Sequence, residues 1–178
     1  GSNRRDSIYL YYQKEKGRVQ MVRTDKDILL ETSNLCSGYR KRNILKGIDF
    51  LVRRGEFWGL IGPNGSGKTT LLKTLTRILP AQKGKVFYDG KDIMKTPAKK
   101  LAQGIAVVPQ VSMFHFSFTV QDFVLLGRIP YLPRFYLEGR NDYRIAEEAM
   151  QLTETISFRQ RRINELSEGE KQRVVIAR

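Results

Sequence analysis

The residues with the clearest chemical potential form a glycine-rich segment, Gly62–Thr69, with the pattern G-x-x-x-x-G-K-[ST]. Glycines let a backbone curl so that successive N–H groups point at one anion. A helix beginning near Gly67 would add the positive end of its dipole. We expect Lys68 to place its ammonium on the β- and γ-phosphates of a nucleoside triphosphate, and Thr69 to offer its hydroxyl to Mg²⁺. The segment therefore predicts a phosphate-binding loop, which kinases, GTPases and ATPases share.

The elements around this loop have to hold it between a strand and a helix. Residues 57–61 are an apolar run that predicts a strand, and apolar residues recur at helical spacing from Gly67 until Pro80 ends the run. Strands are also predicted at 29–35, 47–53, 84–88 and 105–108. Strands that alternate with helices around one phosphate loop indicate an α/β fold.

The second half of the sequence predicts helices. Its composition becomes rich in aromatic residues after Gln110, and a helix is predicted from about Asn141 to Ile156. A last helix is predicted from Glu168. Ser167 and Glu170 have the spacing of a capping box, in which each side chain bonds to the other residue's backbone N–H at the start of a helix.

Three segments together resemble the ATPases of ABC transporters. Residues 60–72 resemble the Walker A segment of that family, and Val107–Gln110 resembles its Q-loop. Leu166–Arg173 resembles the ABC signature, usually written LSGGQ. The three motifs occur in the family's order within residues 31–178. Residues 119–131 are similar to the importers of iron–siderophore, haem and cobalamin type.

The resemblance implies a fold as well as a function. A P-loop NTPase (RecA-like) core is expected to carry an antiparallel β-subdomain near residues 29–60 and 84–92 and a helical subdomain near 111–165. The ABC ATPase domain would occupy residues 21–178 and lack its C-terminal part. Residues 1–20 are interpreted as a tag or an upstream tail, and are set aside from the fold.

Each matching position receives a role from the resemblance. Lys68 and Gln110 are the expected catalytic residues, and Thr69 and Gln110 the expected contacts to Mg²⁺. Tyr39 would stack on adenine. The other expected contacts to ATP are Gly62, Asn64, Gly65, Ser66, Gly67 and Thr70 in the loop, and Ser167, Gly169 and Glu170 in the signature.

Plainer interpretations stay open for several of these residues. Tyr39 could be a tyrosine packed at a strand end, and Gln110 a surface turn residue after Pro109. The capping box at Ser167 would stabilise a helix in any protein, although it is compatible with a nucleotide role. Glu168 stands where the family has glycine, and a carboxylate there would repel a triphosphate unless its side chain points away.

The resemblance also implies an activity and its partners. The complete protein would hydrolyse ATP with Mg²⁺ as a homodimer, with each ATP held between the Walker A loop of one subunit and the signature of the other. It would bind an integral membrane permease at the cytoplasmic face of the membrane, and act indirectly with a substrate-binding protein. The family's acidic strand end and switch histidine follow the signature, so negligible hydrolysis is expected from residues 1–178 alone.

Composition leaves two other classes of protein open. The net charge of +14 would suit a non-transport ABC ATPase acting on nucleic acid or ribosomes, although the basic residues form no single stripe and no nucleic-acid partner is expected. A non-catalytic nucleotide-binding remnant is the other alternative. The single cysteine excludes an internal disulfide framework and fits a reducing cytoplasm.

Overall fold

The computed structural model describes the backbone of residues 9–12 and the residues 27–40, 42–109, 117–133 and 137–178. The chain forms two compact units, Gly1–Thr96 and Pro97–Arg178, and each is described by itself. None of the helices in the described ranges is long and apolar enough to cross a membrane.

The first unit is built mainly from strands. In chain order its elements are β1 (Tyr9–Tyr12), β2 (Ile28–Tyr39), β3 (Arg42–Arg53), β4 (Trp58–Ile61), α1 (Lys68–Leu75), β5 (Lys83–Tyr88) and β6 (Lys91–Asp92). Four of the strands form an antiparallel sheet in the order β3-β2-β5-β6. The antiparallel sheet predicted near residues 29–60 and 84–92 is thus confirmed for β2, β3, β5 and β6, whereas β4 pairs elsewhere.

Apolar side chains of both the sheet and α1 are buried, and α1 lies against β2 and β3. Leu35, Leu45 and Val86 come from the sheet, and Leu71 and Leu75 come from one face of α1. Removing a side chain of this size from water contributes roughly 1.5–3 kcal/mol. This packing holds α1, and with it the glycine-rich loop at its start, against β2 and β3.

The helix after the glycine-rich loop is shorter than predicted. It ends at Leu75, and Arg77 adopts the left-handed conformation with φ of 59°. The Arg77 guanidinium donates to the carbonyl oxygens of Ile93, at 2.9 Å, and Thr96, at 2.6 Å. These bonds stabilise a turn at Arg77, so Ile78 lies outside the helix and is exposed.

Strand β4 has its partner in a segment that the sequence analysis set aside. Tyr9–Tyr12 pairs antiparallel with β4, with Tyr9 opposite Ile61 and Tyr12 opposite Trp58. A strand edge with unpaired N–H and C=O groups readily recruits another strand, which accounts for this pairing. The origin of residues 1–20, as a tag or an upstream tail, stays a prediction.

The second unit is helical in its described parts. It contains α2 (Ala98–Ala102), α3 (Val120–Leu125), α4 (Arg140–Leu152) and α5 (Glu168–Ala177), with 3₁₀ turns at Leu126–Arg128, Ile156–Phe158 and Ile163–Glu165. Its apolar core consists of Val120, Phe123, Val124, Leu125, Ala146, Met150, Ile163, Leu166, Val174, Val175 and Ala177. The core therefore joins α3, α4 and α5, and α5 begins at Glu168 as predicted. The helical-subdomain bounds near 111 and 165 stay a prediction.

Two predictions for this unit are corrected. The helix predicted to reach Ile156 ends at Leu152, because Glu154 adopts a left-handed conformation with φ of 56°. The strand predicted at 105–108 is irregular, with Val107 and Val108 about half exposed. Backbone groups in a strand need hydrogen-bond partners from a neighbouring strand, and no described residue pairs with this segment.

Candidate functional site

The glycine-rich loop connects β4 to α1, as the sequence predicts. Gly65 and Gly67 adopt left-handed conformations, with φ of 82° and 98°. These angles strain any residue with a Cβ, so glycine is required for the curl. Gly67 is the N-cap of α1 and has no side chain with which to cap the first backbone N–H groups, and no acidic residue lies in the first turn. The start of α1 is therefore an uncompensated positive pole.

Lys68 adds a full positive charge to this pole. Its Nζ donates to the carbonyl oxygens of Gly62, at 2.6 Å, and Pro63, at 2.8 Å. The ammonium group is thus folded back onto the loop that it follows. An incoming anion would bind the ammonium more strongly than these neutral carbonyls do, because it adds the attraction of an opposite charge.

Ser66 has an unsatisfied polar atom at the centre of the loop. The residue is 6% exposed, and its Oγ has no hydrogen-bond partner in the part of the chain that the structure describes. Leaving a buried hydroxyl unpaired costs about 1–3 kcal/mol. A phosphate oxygen in the loop would accept this bond and remove the cost, so the loop fits an anionic ligand.

The two threonines that follow Lys68 have different surroundings. Thr69 is exposed in the first turn of α1, as a contact to Mg²⁺ requires. Thr70 is buried and does not present its side chain to solvent. Across the described residues no cluster of three His, Cys, Asp or Glu side chains could hold a metal ion. Mg²⁺ keeps several waters and binds mainly to substrate phosphates and one or two carboxylates, and in a phosphate loop a Ser or Thr hydroxyl is a further ligand, so Thr69 fits that kind of site.

Tyr39, the expected adenine contact, is 44% exposed at the end of β2. The strand is anchored two residues earlier, where the buried Ser37 Oγ lies 2.9 Å from Thr74 Oγ1 of α1 and donates to the Pro80 carbonyl oxygen at 3.1 Å. The end of β2 is therefore held to the helix that follows the loop. This exposure leaves the ring able to stack on a base, and its role stays a prediction.

Gln110 lies outside the described residues. Its expected catalytic role and its expected contact to Mg²⁺ therefore stay predictions.

The signature segment forms the predicted capping box at the start of α5. The Glu170 carboxylate accepts from the Ser167 backbone N–H and from Ser167 Oγ, both at 2.7 Å. In return, the Glu170 N–H donates to Ser167 Oγ at 3.4 Å. The Ser167 hydroxyl and backbone bonds, helped by the charges of Arg161 and Arg173, lower the pKa of Glu170.

Gly169 lies in the first turn of α5, where the structure does not require a glycine. Its φ is not positive, and an added Cβ would meet open space. Glycine inside a helix costs roughly 0.5–1 kcal/mol relative to alanine. Among the described residues, neither conformation nor packing requires glycine at this position, and its predicted contact to ATP stays a prediction.

The structure adds two features that the sequence analysis missed. Lys171 bonds to Glu168, with Nζ 2.8 Å from Oε1. The Ser37–Thr74 contact joins β2 to α1. The Glu–Lys spacing of three residues is a known helical pairing and could have predicted the first. No local pattern predicts the second, because its residues are far apart in the sequence.

Comparison with known proteins identifies a family whose model includes both the glycine-rich loop and the start of α5. The family model described as ABC transporter matches residues 45–178. A Bacillus subtilis (strain 168) protein named "Uncharacterized ABC transporter ATP-binding protein YvrA" is 42% identical over 83% of this chain and 34% of its own length.

Two relatives have names that state a substrate. The iron(3+)-hydroxamate import ATP-binding protein FhuC of B. subtilis is 37% identical over 83% of this chain and 55% of its own. The hemin import ATP-binding protein HmuV of Vibrio cholerae is 40% identical over 85% of this chain and 56% of its own.

A solved structure shares the fold. The ABC transporter described as metal-chelate type, in an inward-facing conformation, superposes with a TM-score of 0.68 at 26% identity, covering 85% of this chain and 54% of that one. The α/β P-loop fold class predicted from the sequence is confirmed by this likeness. The chain spans about a third to three fifths of the length of the curated relatives it matches. With its family model, its relatives and its phosphate loop in agreement, the chain belongs to the ATP-binding proteins of the ABC transporter family.

Proposed function

We propose that the protein carrying this chain binds and hydrolyses ATP to drive import of a metal chelate, of iron–siderophore, haem or cobalamin type. One observation carries the nucleotide part of the proposal. The loop before α1 combines a helix start at a glycine N-cap, the Lys68 ammonium and a buried Ser66 hydroxyl that no described residue bonds, all in one short segment. An anion with several oxygens would accept hydrogen bonds from the N–H groups of the helix start, from the ammonium and from the hydroxyl.

Each loop residue has a distinct part in binding. The curled backbone at Gly65 and Gly67 directs N–H groups at the phosphates. Lys68 exchanges its two carbonyl partners for β- and γ-phosphate oxygens, and Ser66 gains an acceptor. Mg²⁺ would neutralise charge on the transferred phosphoryl group, and Thr69 and Gln110 are the residues proposed to hold it.

The start of α5 is proposed to act across a homodimer interface. Its backbone N–H groups and Ser167 would face the γ-phosphate of an ATP held by the second subunit, and Gly169 keeps that approach open. The open space at Gly169 supports this role. Closure of the dimer would then depend on ATP, and hydrolysis would release it.

The transport part of the proposal is supported by the relatives. FhuC and HmuV are named for import of iron(3+)-hydroxamate and hemin. By the same relationship, we propose an integral membrane permease as the direct partner and a substrate-binding protein as an indirect one. The protein would lie peripherally at the cytoplasmic face of the membrane.

Uptake of three labelled compounds tests the proposal. Cells with the intact gene and cells carrying Lys68→Ala would be given an iron–siderophore, haem or cobalamin. We expect the variant to lose uptake of one compound while uptake of the others is unchanged.

Equal uptake of all three in both strains would overturn the transport proposal. If the purified protein then bound nucleic acid with steep salt dependence, the non-transport class of ABC ATPase would replace it. If it bound ATP without turnover, it would be a nucleotide-binding remnant.

A further inference from the structure

The first turn of α5 carries two carboxylates at a place where an anion is proposed to bind. Glu168 and Glu170 both lie in this turn. Negative side chains near a helix start stabilise the helix by pairing with its dipole, but they also compete with any anionic ligand for that pole. A phosphate-binding role for this turn therefore requires that both carboxylates be neutralised or turned aside.

Glu170 is occupied by its own helix start. Its carboxylate accepts the Ser167 backbone N–H and the Ser167 hydroxyl, and Arg161 and Arg173 add favourable charge. This carboxylate has its donors within the capping box and is held there.

Glu168 depends instead on one lysine. Its Oε1 lies 2.8 Å from Nζ of Lys171, one turn further along α5. The Glu168 side chain is 75% exposed, whereas that of Lys171 is only 18% exposed. The lysine is thus the more buried partner, and because it stands three residues further along α5, the ion pair directs the exposed carboxylate towards the following turn of the helix.

The first turn of α5 is open to solvent at Gly169. Gly169 lies between the two carboxylates, and open space surrounds the position that its Cβ would take. With Glu168 drawn towards Lys171 and Glu170 bonded to Ser167, the backbone at Gly169 is free to meet a ligand oxygen.

We propose that Lys171 is a positioning residue that neutralises Glu168 and so keeps the start of α5 attractive to the γ-phosphate of ATP. This inference rests on the proposed role of α5 in the ATP-bound dimer. It explains how a carboxylate is accommodated at the position where a glycine is expected. In this proposal Lys171 acts through Glu168 and not through a contact of its own to the nucleotide.

The test measures nucleotide-dependent dimerisation of the full-length protein that carries this sequence, using a non-hydrolysable ATP analogue and sedimentation. Lys171→Met keeps most of the side chain's apolar stem and removes its charge. We expect the analogue concentration for half-maximal dimerisation to rise about two- to fivefold, the size of a single charge effect at a helix start. Lys171→Arg should restore the wild-type value. Lys100→Met, which removes a charge from the exposed surface of α2, is the matched control and should have no effect.

The double variant separates positioning from a structural role. If Lys171 acts by neutralising Glu168, then Lys171→Met should have no effect in a Glu168→Gly background. A loss that persists in that background would overturn the proposal, as would a Lys171→Met protein that dimerises like the wild type. If the wild-type protein binds the analogue but never dimerises, the proposed role of α5 fails together with this inference. A dimerising wild type with an insensitive Lys171→Met variant refutes the lysine's role alone.

Discussion

Removing the ammonium of Lys68 should weaken ATP binding strongly. In the structure, Lys68 Nζ is bonded to the carbonyl oxygens of Gly62 and Pro63. In the complex we expect both bonds to be exchanged for bonds to phosphate oxygens. Lys68→Ala removes the bonds to phosphate in the complex and the bonds to the carbonyls in the free protein. The variant therefore loses the difference in free energy between the two sets of bonds.

The size of this loss follows from the two contacts. Both sets of bonds use the charged ammonium, but only the phosphate oxygens carry an opposite charge, and the attraction of two unit charges about 4 Å apart is about 1 kcal/mol in water and about 4 kcal/mol near a protein surface. We take a surplus of about 1–2 kcal/mol per bond, or about 2–4 kcal/mol for the pair. Since 1.4 kcal/mol is tenfold in affinity, the dissociation constant for ATP should rise roughly 30- to 700-fold.

Isothermal titration calorimetry with ATP and Mg²⁺ measures this change directly. Lys73→Ala is the matched control, because it removes the same charge from the same helix but in its last turn, away from the loop. We expect the control to bind ATP nearly as well as the wild type. Thermal melts of both variants show whether a loss of affinity reflects unfolding.

The reasoning is refuted if Lys68→Ala binds ATP within about threefold of the wild type, because that change is only about 0.7 kcal/mol and lies below the smallest assumed single-bond surplus of about 1 kcal/mol. It is equally refuted if Lys73→Ala loses as much affinity as Lys68→Ala. In that case the charge of α1 as a whole, and not the contact at the loop, would determine binding.

Two further predictions concern the second unit. The Gly139 backbone N–H and Arg128 lower the pKa of Asp142 in the folded protein, so this carboxylate stabilises the fold above its unfolded pKa of about 4, and the contribution is lost as pH falls through the lower folded value. Asp142→Asn should therefore make thermal stability less dependent on pH below about 4. Melting temperatures that fall equally with pH in the two proteins would contradict this. Gly169→Ala should raise the free energy of unfolding by about 0.4–1 kcal/mol, because the site has room for a Cβ and needs no positive φ, and it should weaken nucleotide-dependent dimerisation. Urea unfolding measures the first effect and sedimentation the second. A variant that is more stable and dimerises normally would show that nothing approaches this glycine.

The capping box and the phosphate loop could be predicted from sequence because both are local. A left-handed residue at Gly67 and the reciprocal bonds of Ser167 and Glu170 depend on neighbours within a few positions. Local rules of conformation and hydrogen bonding therefore determine them wherever the rest of the chain lies.

Element ends were less predictable, because distant residues decide them. The apolar pattern continues past Leu75, but Arg77 bonds to the carbonyl oxygens of Ile93 and Thr96 and turns the chain. An apolar run at 105–108 predicts a strand, but a strand forms only where another strand satisfies its backbone. The spacing of apolar residues carries no information about the carbonyl groups that Arg77 bonds or about a strand that could pair with residues 105–108.

The sequence by itself determined the family, the phosphate loop and the helix start at Ser167, since glycines, a lysine and a capping pair at fixed spacings specify local backbone geometry. Only the tertiary structure decided that the Ser66 hydroxyl is buried with no partner among the described residues, and that Glu168 bonds to Lys171. Burial depends on what packs over a side chain, and a side chain's direction depends on which charge lies within its reach. These are properties of the folded surroundings, which spacing along the chain does not specify.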